Sequence, residues 1–269
     1  MKPEYRKLER LSELFSSLPQ VEAIALGGSK AGEASDELSD FDVFVYTNAA
    51  IPLDARQEIV QHLGGASGAD MGMDYFGDYD EWCDAETGAQ FDVMYFGLDW
   101  MREGLERVLV QHRPGLGYTT AFAYTVSRSR ILYDPRGVFA ALQEMSRRPY
   151  PEALRRAIVR YNYPLLRGNV SSYYAQLEKA VKRNDLVSVN HRLAALLASY
   201  FDIVFAANRL LHPGEKRLLQ LSLTTCITLP ERFAVDVPEV LTARGEGLLE
   251  TLSQFLDDLD RWLNQEGFA

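Results

Sequence analysis

Apolar residues change their period along this chain, and the changes mark out its elements. Leu8, Leu11, Leu14 and Phe15 recur at helical spacing, which predicts an amphipathic helix over residues 3–17, ended by Pro19. Residues 21–28 (VEAIALGG) predict a buried strand that runs into a glycine turn, and 29–39 predict a turn and loop. Residues 40–47 predict the next strand. Alternation there puts Phe41, Val43 and Val45 on one face and Asp40 and Asp42 on the other. Pro52 opens a predicted helix over 53–63, which the Gly64–Gly68 stretch ends. Residues 69–76 predict a short strand. Residues 77–88, rich in Asp, Glu and Gly, predict a loop, and 89–96 (AQFDVMYF) predict a third clear strand.

From residue 98 onward the period is helical. Helices are predicted over 98–112 and 117–127, with Pro114-Gly115 between them. A short extended piece at 130–134 precedes a helix over 137–147. Beyond Pro149 and Pro151, helices are predicted over 151–167, 170–183, 185–210 and 238–265. Leu193, Leu196, Leu197, Tyr200, Phe201, Val204 and Phe205 form a broad apolar stripe on one of them. Asp185 reads as its N-cap and Asn208 as a cap at its end, while Pro213 and Glu215 read as the start of another helix. The expectation is an α+β protein. A small mixed β-sheet domain over 1–130 is followed by an α-helical bundle domain over 131–269.

Composition sharpens this division. Of 269 residues, 47% are hydrophobic, enough for a real core, and no apolar run is long enough to span a membrane. Residues 22–100 hold 17 Asp and Glu against 2 Lys and Arg, whereas 101–220 hold 19 Lys and Arg against 9 Asp and Glu. An acidic half suited to divalent metal thus precedes a basic half suited to phosphate. A net charge of −10 argues against binding duplex nucleic acid. Cys83 and Cys226 form no C-x-x-C pair, and with no signal-peptide pattern the expected location is the cytoplasm.

Asp40 and Asp42, side by side on one strand face, repel each other unless a cation lies between them. Mg²⁺ suits an all-oxygen donor set and is commonly completed by substrate phosphates. The Gly27-Gly28-Ser29 turn offers backbone N–H groups and a hydroxyl to such phosphates. The remaining patterns are weaker. His62, His112, His191 and His212 are scattered, and neither a G-x-S-x-G elbow nor a G-x-x-x-x-G-K-[ST] loop occurs. Tyr161, Tyr163, Tyr173 and Tyr174 read as packing residues.

Gly28-Ser29, a ten-residue spacer (KAGEASDELS), Asp40-Phe41-Asp42, and a later strand carrying Asp92 resemble the signature of the nucleotidyltransferase superfamily. That superfamily includes DNA polymerase β and the antibiotic nucleotidyltransferases. The likeness covers residues 20–97, with Asp70, Asp74 and Asp84 as competitors for the third carboxylate position. The resemblance implies Mg²⁺-dependent transfer of a nucleoside monophosphate, AMP from ATP, to a hydroxyl of a small molecule or protein. Two Mg²⁺ ions are implied, held by Asp40, Asp42 and Asp92. Gly28 and Ser29 would anchor the β- and γ-phosphates, with Lys30 beside them and Lys216 as the basic clamp from the helical half. The acidic stretch 78–86 would suit a cationic acceptor. The competing class is a nucleotide-sensing or partner-binding module without turnover, of the toxin–antitoxin kind.

Overall fold

A computed structural model describes residues 2–31, 40–75 and 77–268. The expected spacer therefore lies outside the described residues from 32 to 39, as does the end of the strand expected over 69–76. The chain divides into two compact units, Met1–Glu106 with Thr125–Arg148, and Arg107–Tyr124 with Pro149–Ala269. Among the described residues no helix is long and apolar enough to cross a membrane.

The first unit is built on a six-stranded mixed sheet. Its strands are β1 (Val21–Leu26), β2 (Phe41–Thr47), β3 (Ala66–Met73), β4 (Asp78–Asp84), β5 (Gln90–Gly97) and β6 (Arg130–Tyr133), in the order β3-β4-β5-β2-β1-β6. Only β2 and β5 run parallel, and the other neighbours are antiparallel. The domain boundary expected at 130/131 falls inside β6. That strand hydrogen-bonds to β1 and so draws residues 125–148 into this unit. One sheet face packs on α1 (Pro3–Ser16) and α2 (Leu53–His62), where Leu8, Leu11, Phe15 and Ile59 meet Ile24, Phe41, Val43 and Phe91. Phe91 stacks on Phe41 at 4.9 Å and on Trp82 at 5.5 Å. On the opposite face Phe139 of α5 (Val138–Arg147) packs on Tyr46 at 4.7 Å.

The expected loop over 77–88 contains β4, and its polar composition explains the difference. Asp80, Trp82 and Asp84 all point into the protein. Fully buried Asp80 accepts from Tyr95 Oη at 2.7 Å and Gly72 N at 2.6 Å, and lies 3.5 Å from the Arg56 guanidinium. Asp84 accepts from Thr87 N at 2.8 Å and Thr87 Oγ1 at 2.6 Å, with Lys7 at 3.3 Å. Burial pushes the Asp84 carboxyl up, but these partners outweigh it and hold it below its ordinary value. Buried carboxylates with complete hydrogen bonding are stable inside a protein, yet in sequence they look like surface.

The second unit is helical. It includes α6 (Glu152–Tyr163), a π-helical turn at Pro164–Gly168, α7 (Tyr173–Lys182), α8 (Leu186–Ala207), α9 (Leu218–Thr225), α10 (Phe233–Thr242) and α11 (Gly245–Gln265). Its core gathers Leu196, Tyr200, Phe205, Phe233, Phe255 and Leu259, with Tyr200 stacked on Phe255 at 4.1 Å. Asp185 caps α8 by accepting from Ser188 N at 3.0 Å, and Asn208 stands at its C-cap. Two sequence expectations differ here. The helix expected over 238–265 is two helices, parted by the extended Ala243 and Arg244. The helix expected from Pro213 starts only at Leu218, because Arg217 is left-handed at φ 58. Two helices, α3 (Leu98–Leu109) and α4 (Ala121–Arg128), carry the chain from one unit to the other.

Candidate functional site

The end of β1 and the start of β2 are tied together, since Gly27 N donates to Asp42 O at 2.7 Å. Both glycines are required by what lies against them. A Cβ at Gly27 would sit 2.6 Å from Phe44 Cζ. Gly28 has φ +59, and a Cβ there would sit 2.7 Å from Asp42 Cγ and overlap its carboxylate. The Asp42 carboxyl is therefore packed directly against the turn backbone. Ser29 opens a single 3-10 turn, Ser29–Ala31, and both Gly28 and Ser29 are exposed.

Strand register brings the carboxylates together. Asp42 on β2 is the register partner of Asp92 on the parallel β5. Asp40 precedes β2 and is half-buried. Asp92 is oriented by Gln90, whose Nε2 donates to Asp92 Oδ1 at 3.0 Å. The row continues across the sheet: Glu81 on β4 pairs with Asp92, and Asp70 on β3 pairs with Glu81. Four carboxylates thus occupy one level of four adjacent strands, which lie about 4.8 Å apart. Partial burial raises the Glu81 carboxyl above its ordinary pKa, and the charges of Asp92, Asp70 and Asp40 push it the same way.

Sequence reasoning missed Glu81 because the acidic stretch 77–88 reads as a loop. The period-2 signal was present, with Tyr79, Glu81 and Cys83 alternating against Asp80, Trp82 and Asp84. Among the competitors for the third position, Asp70 joins the row, exposed Asp74 lies outside β3, and Asp84 points inward to Lys7. Lys30 packs its ammonium on an aromatic ring. Its Nζ lies 4.4 Å from the ring centroid of Phe41, a residue of the opposite sheet face.

In the second unit Lys216 is exposed, in the segment ahead of α9. Near it in sequence is a buried polar cluster. Asp202 accepts from Thr119 N at 3.1 Å, Thr119 Oγ1 at 2.6 Å and Asn162 Nδ2 at 3.3 Å. Burial raises its pKa to about 7 against the opposing effect of these hydrogen bonds. His212 is fully buried between Tyr118 and Phe205. Its Nδ1 accepts from Gly214 N at 3.1 Å, and burial lowers its pKa to about 4, so the imidazole is neutral.

Among the described residues no group of three or more His, Cys, Asp or Glu forms a ready metal cage. The donors in the row nevertheless fit Mg²⁺. That ion needs only one or two carboxylates beside substrate phosphates, and Asp42 and Asp92 stand in register with oxygen donors alone.

Residues 119–218 match a family described as a domain of unknown function (DUF4037), a stretch that contains Asp202 and His212. No curated protein matches the chain. Among solved structures, a nucleotidyltransferase-like protein from Exiguobacterium sibiricum is similar over 96% of this chain and 75% of that one, at 13% identity and a TM-score of 0.45. An aminoglycoside 6-adenyltransferase from Bacillus subtilis is similar over 99% of this chain and 92% of that one, at 10% identity and a TM-score of 0.33.

Proposed function

We propose that this protein is a nucleotidyltransferase that moves AMP from ATP to a hydroxyl of an acceptor molecule. The observation that carries the reading is the register of Asp42 with Asp92, directly beside the Gly28-Ser29 turn. The acceptor oxygen bonds to the α-phosphorus, the bond from that phosphorus to the bridging oxygen breaks, and pyrophosphate leaves. The barrier comes from charge on the phosphoryl group and from alignment, so the residues are assigned to those two tasks.

Exposed Gly28 and Ser29 present backbone N–H groups and a hydroxyl to the β- and γ-phosphates. Asp40, Asp42 and Asp92 would hold the Mg²⁺. When bound, that ion would neutralise the triphosphate and lower the pKa of the acceptor hydroxyl. Gln90 fixes the orientation of Asp92, which is assigned to receive the acceptor's proton. Lys30 and Lys216 are the cations proposed for the phosphates, with Lys30 having first to leave the Phe41 ring.

The test is pyrophosphate release from ATP and Mg²⁺ across a screen of hydroxyl acceptors. Asp42→Asn and Asp92→Asn should each lose activity by about 10³-fold or more with an unchanged unfolding midpoint. Near-full turnover in either variant would refute the assignment.

A further inference from the structure

The first unit has a concavity far from the carboxylate row. A cavity of about 680 Å³ opens where Thr47 and Gly97, register partners, end the parallel strands β2 and β5. From Asp42 to Thr47 the strand runs about 16 Å. The volume lies within the roughly 300–1,000 Å³ usual for small-molecule sites. Its position outside the carboxyl ends of parallel strands is also where α/β sheets commonly bind ligands.

The walls have distinct chemistry. Trp100 is 56% exposed, and its indole lies parallel to Phe96, at 6° and 6.0 Å, so the stacking plane is fixed by the protein. Arg102 and Arg136 line the cavity together with Glu22, Asp78 and Asp99; Asp99 orients Arg102 at 2.8 Å, Glu22 orients Arg136, and Asp78 is paired with Arg56 at 2.7 Å. The two arginine side chains are 44% and 63% exposed, and a guanidinium has five N–H donors, of which one carboxylate takes at most two. The helices α3 and α5 begin at this wall with Leu98 and Val138, and Ile51 stands two residues ahead of α2. Their first-turn N–H groups add positive partial charge. Glu22 is 8% exposed, and Asn48 Nδ2 and the Arg136 guanidinium hold its two oxygens.

We propose that this cavity binds a nucleoside monophosphate, with its base stacked on Trp100 and its phosphate directed to Arg102, Arg136 and the helix starts. A flat indole selects a heteroaromatic ring, and the guanidiniums select an anion. The site is separate from the one assigned to ATP and Mg²⁺.

The test is calorimetry of the full chain with AMP, in EDTA so that no divalent ion assists binding. Wild type should bind AMP saturably with a Kd of about 1 mM or tighter. Trp100→Ala and Arg102→Ala should each weaken it at least about tenfold, with unfolding midpoints near wild type. Asp42→Asn, at the other end of the sheet, should leave it within about twofold. Two results would overturn the proposal: no saturable heat with wild type, or binding lost in Asp42→Asn and kept in Trp100→Ala. Because Asp42→Asn separately reports on Mg²⁺-ATP, either site can fail while the other stands.

Discussion

Alanine at Gly28 should damage nucleotide binding far more than it damages the fold. Two effects act at this position. The backbone is left-handed at φ +59, which costs an alanine about 1–2 kcal/mol. In a unit of this size that lowers the unfolding midpoint by roughly 3–8 °C. The new Cβ would also stand 2.7 Å from Asp42 Cγ, where carbon atoms settle at about 3.5–4.0 Å. The carboxyl must therefore retreat by about 1 Å. Mg²⁺ bonds of about 2.0–2.1 Å in a near-ideal octahedron do not follow such a displacement, and misplacements of that size cost about 10²-fold at a reacting centre. Gly88→Ala is the control, since Gly88 has φ +69 and an alanine methyl there would meet nothing within 4 Å. Calorimetry with a non-hydrolysable ATP analogue and Mg²⁺ measures binding, and thermal unfolding measures the fold. Gly28→Ala should weaken the Kd by about tenfold to a hundredfold, and Gly88→Ala by less than about twofold, for similar midpoint losses. If Gly28→Ala binds the analogue as wild type does, Asp42 is not a ligand of the nucleotide's metal.

Two further expectations concern stability. Arg56→Leu removes the cation beside fully buried Asp80 and should cost about 3 kcal/mol in urea unfolding, whereas Tyr95→Phe, which removes one hydrogen bond to the same carboxylate, should cost about 1–2 kcal/mol. In the second unit two buried groups respond oppositely to pH. Asp202, raised to about 7 from 3.8, takes up its proton on folding, so its contribution falls as pH rises from about 4 to 7. His212, lowered to about 4 from 6.5, gives up its proton on folding, so its contribution rises from about pH 4 to 6.5. In wild type the two slopes offset each other over that window. Relative to wild type, Asp202→Asn should therefore become more stable as pH rises from 4 to 7, and His212→Asn less stable from 4 to 6.5, read as urea midpoints against pH. Parallel profiles for all three proteins would contradict the burial argument for both residues.

Periodicity carried most of the architecture because most elements bury ordinary apolar faces. β1, β2 and β5 were legible from Ile24, Val43, Val93 and their neighbours, and α8 from its broad stripe. β4 was hidden because its inward positions are Asp80, Trp82 and Asp84, and only the folded chain brings Arg56, Tyr95, Gly72, Lys7 and Thr87 to them. The break between α10 and α11 was hidden because Val237 and Val240 on one side and Leu248 and Leu252 on the other keep helical phase across Ala243 and Arg244. At the candidate site, Asp40 and Asp42 were visible as i and i+2 on one strand, but the partnership of Asp42 with Asp92, and the continuation to Glu81 and Asp70, depends on pairing between strands distant in sequence. The segment before Lys216 reads as a helix start because Pro and Glu are common there, while the left-handed Arg217 leaves no sequence signal.

The interleaving of the two units has a consequence for anyone who shortens this protein. A fragment ended after Glu106 would lack β6, and β1, all of whose residues are buried, would become the sheet's border with its hydrogen-bonding groups facing water. Such a border recruits other strands, so the shortened chain should self-associate instead of remaining dispersed. The four-residue β6 is a short terminal rail that closes the sheet against that outcome.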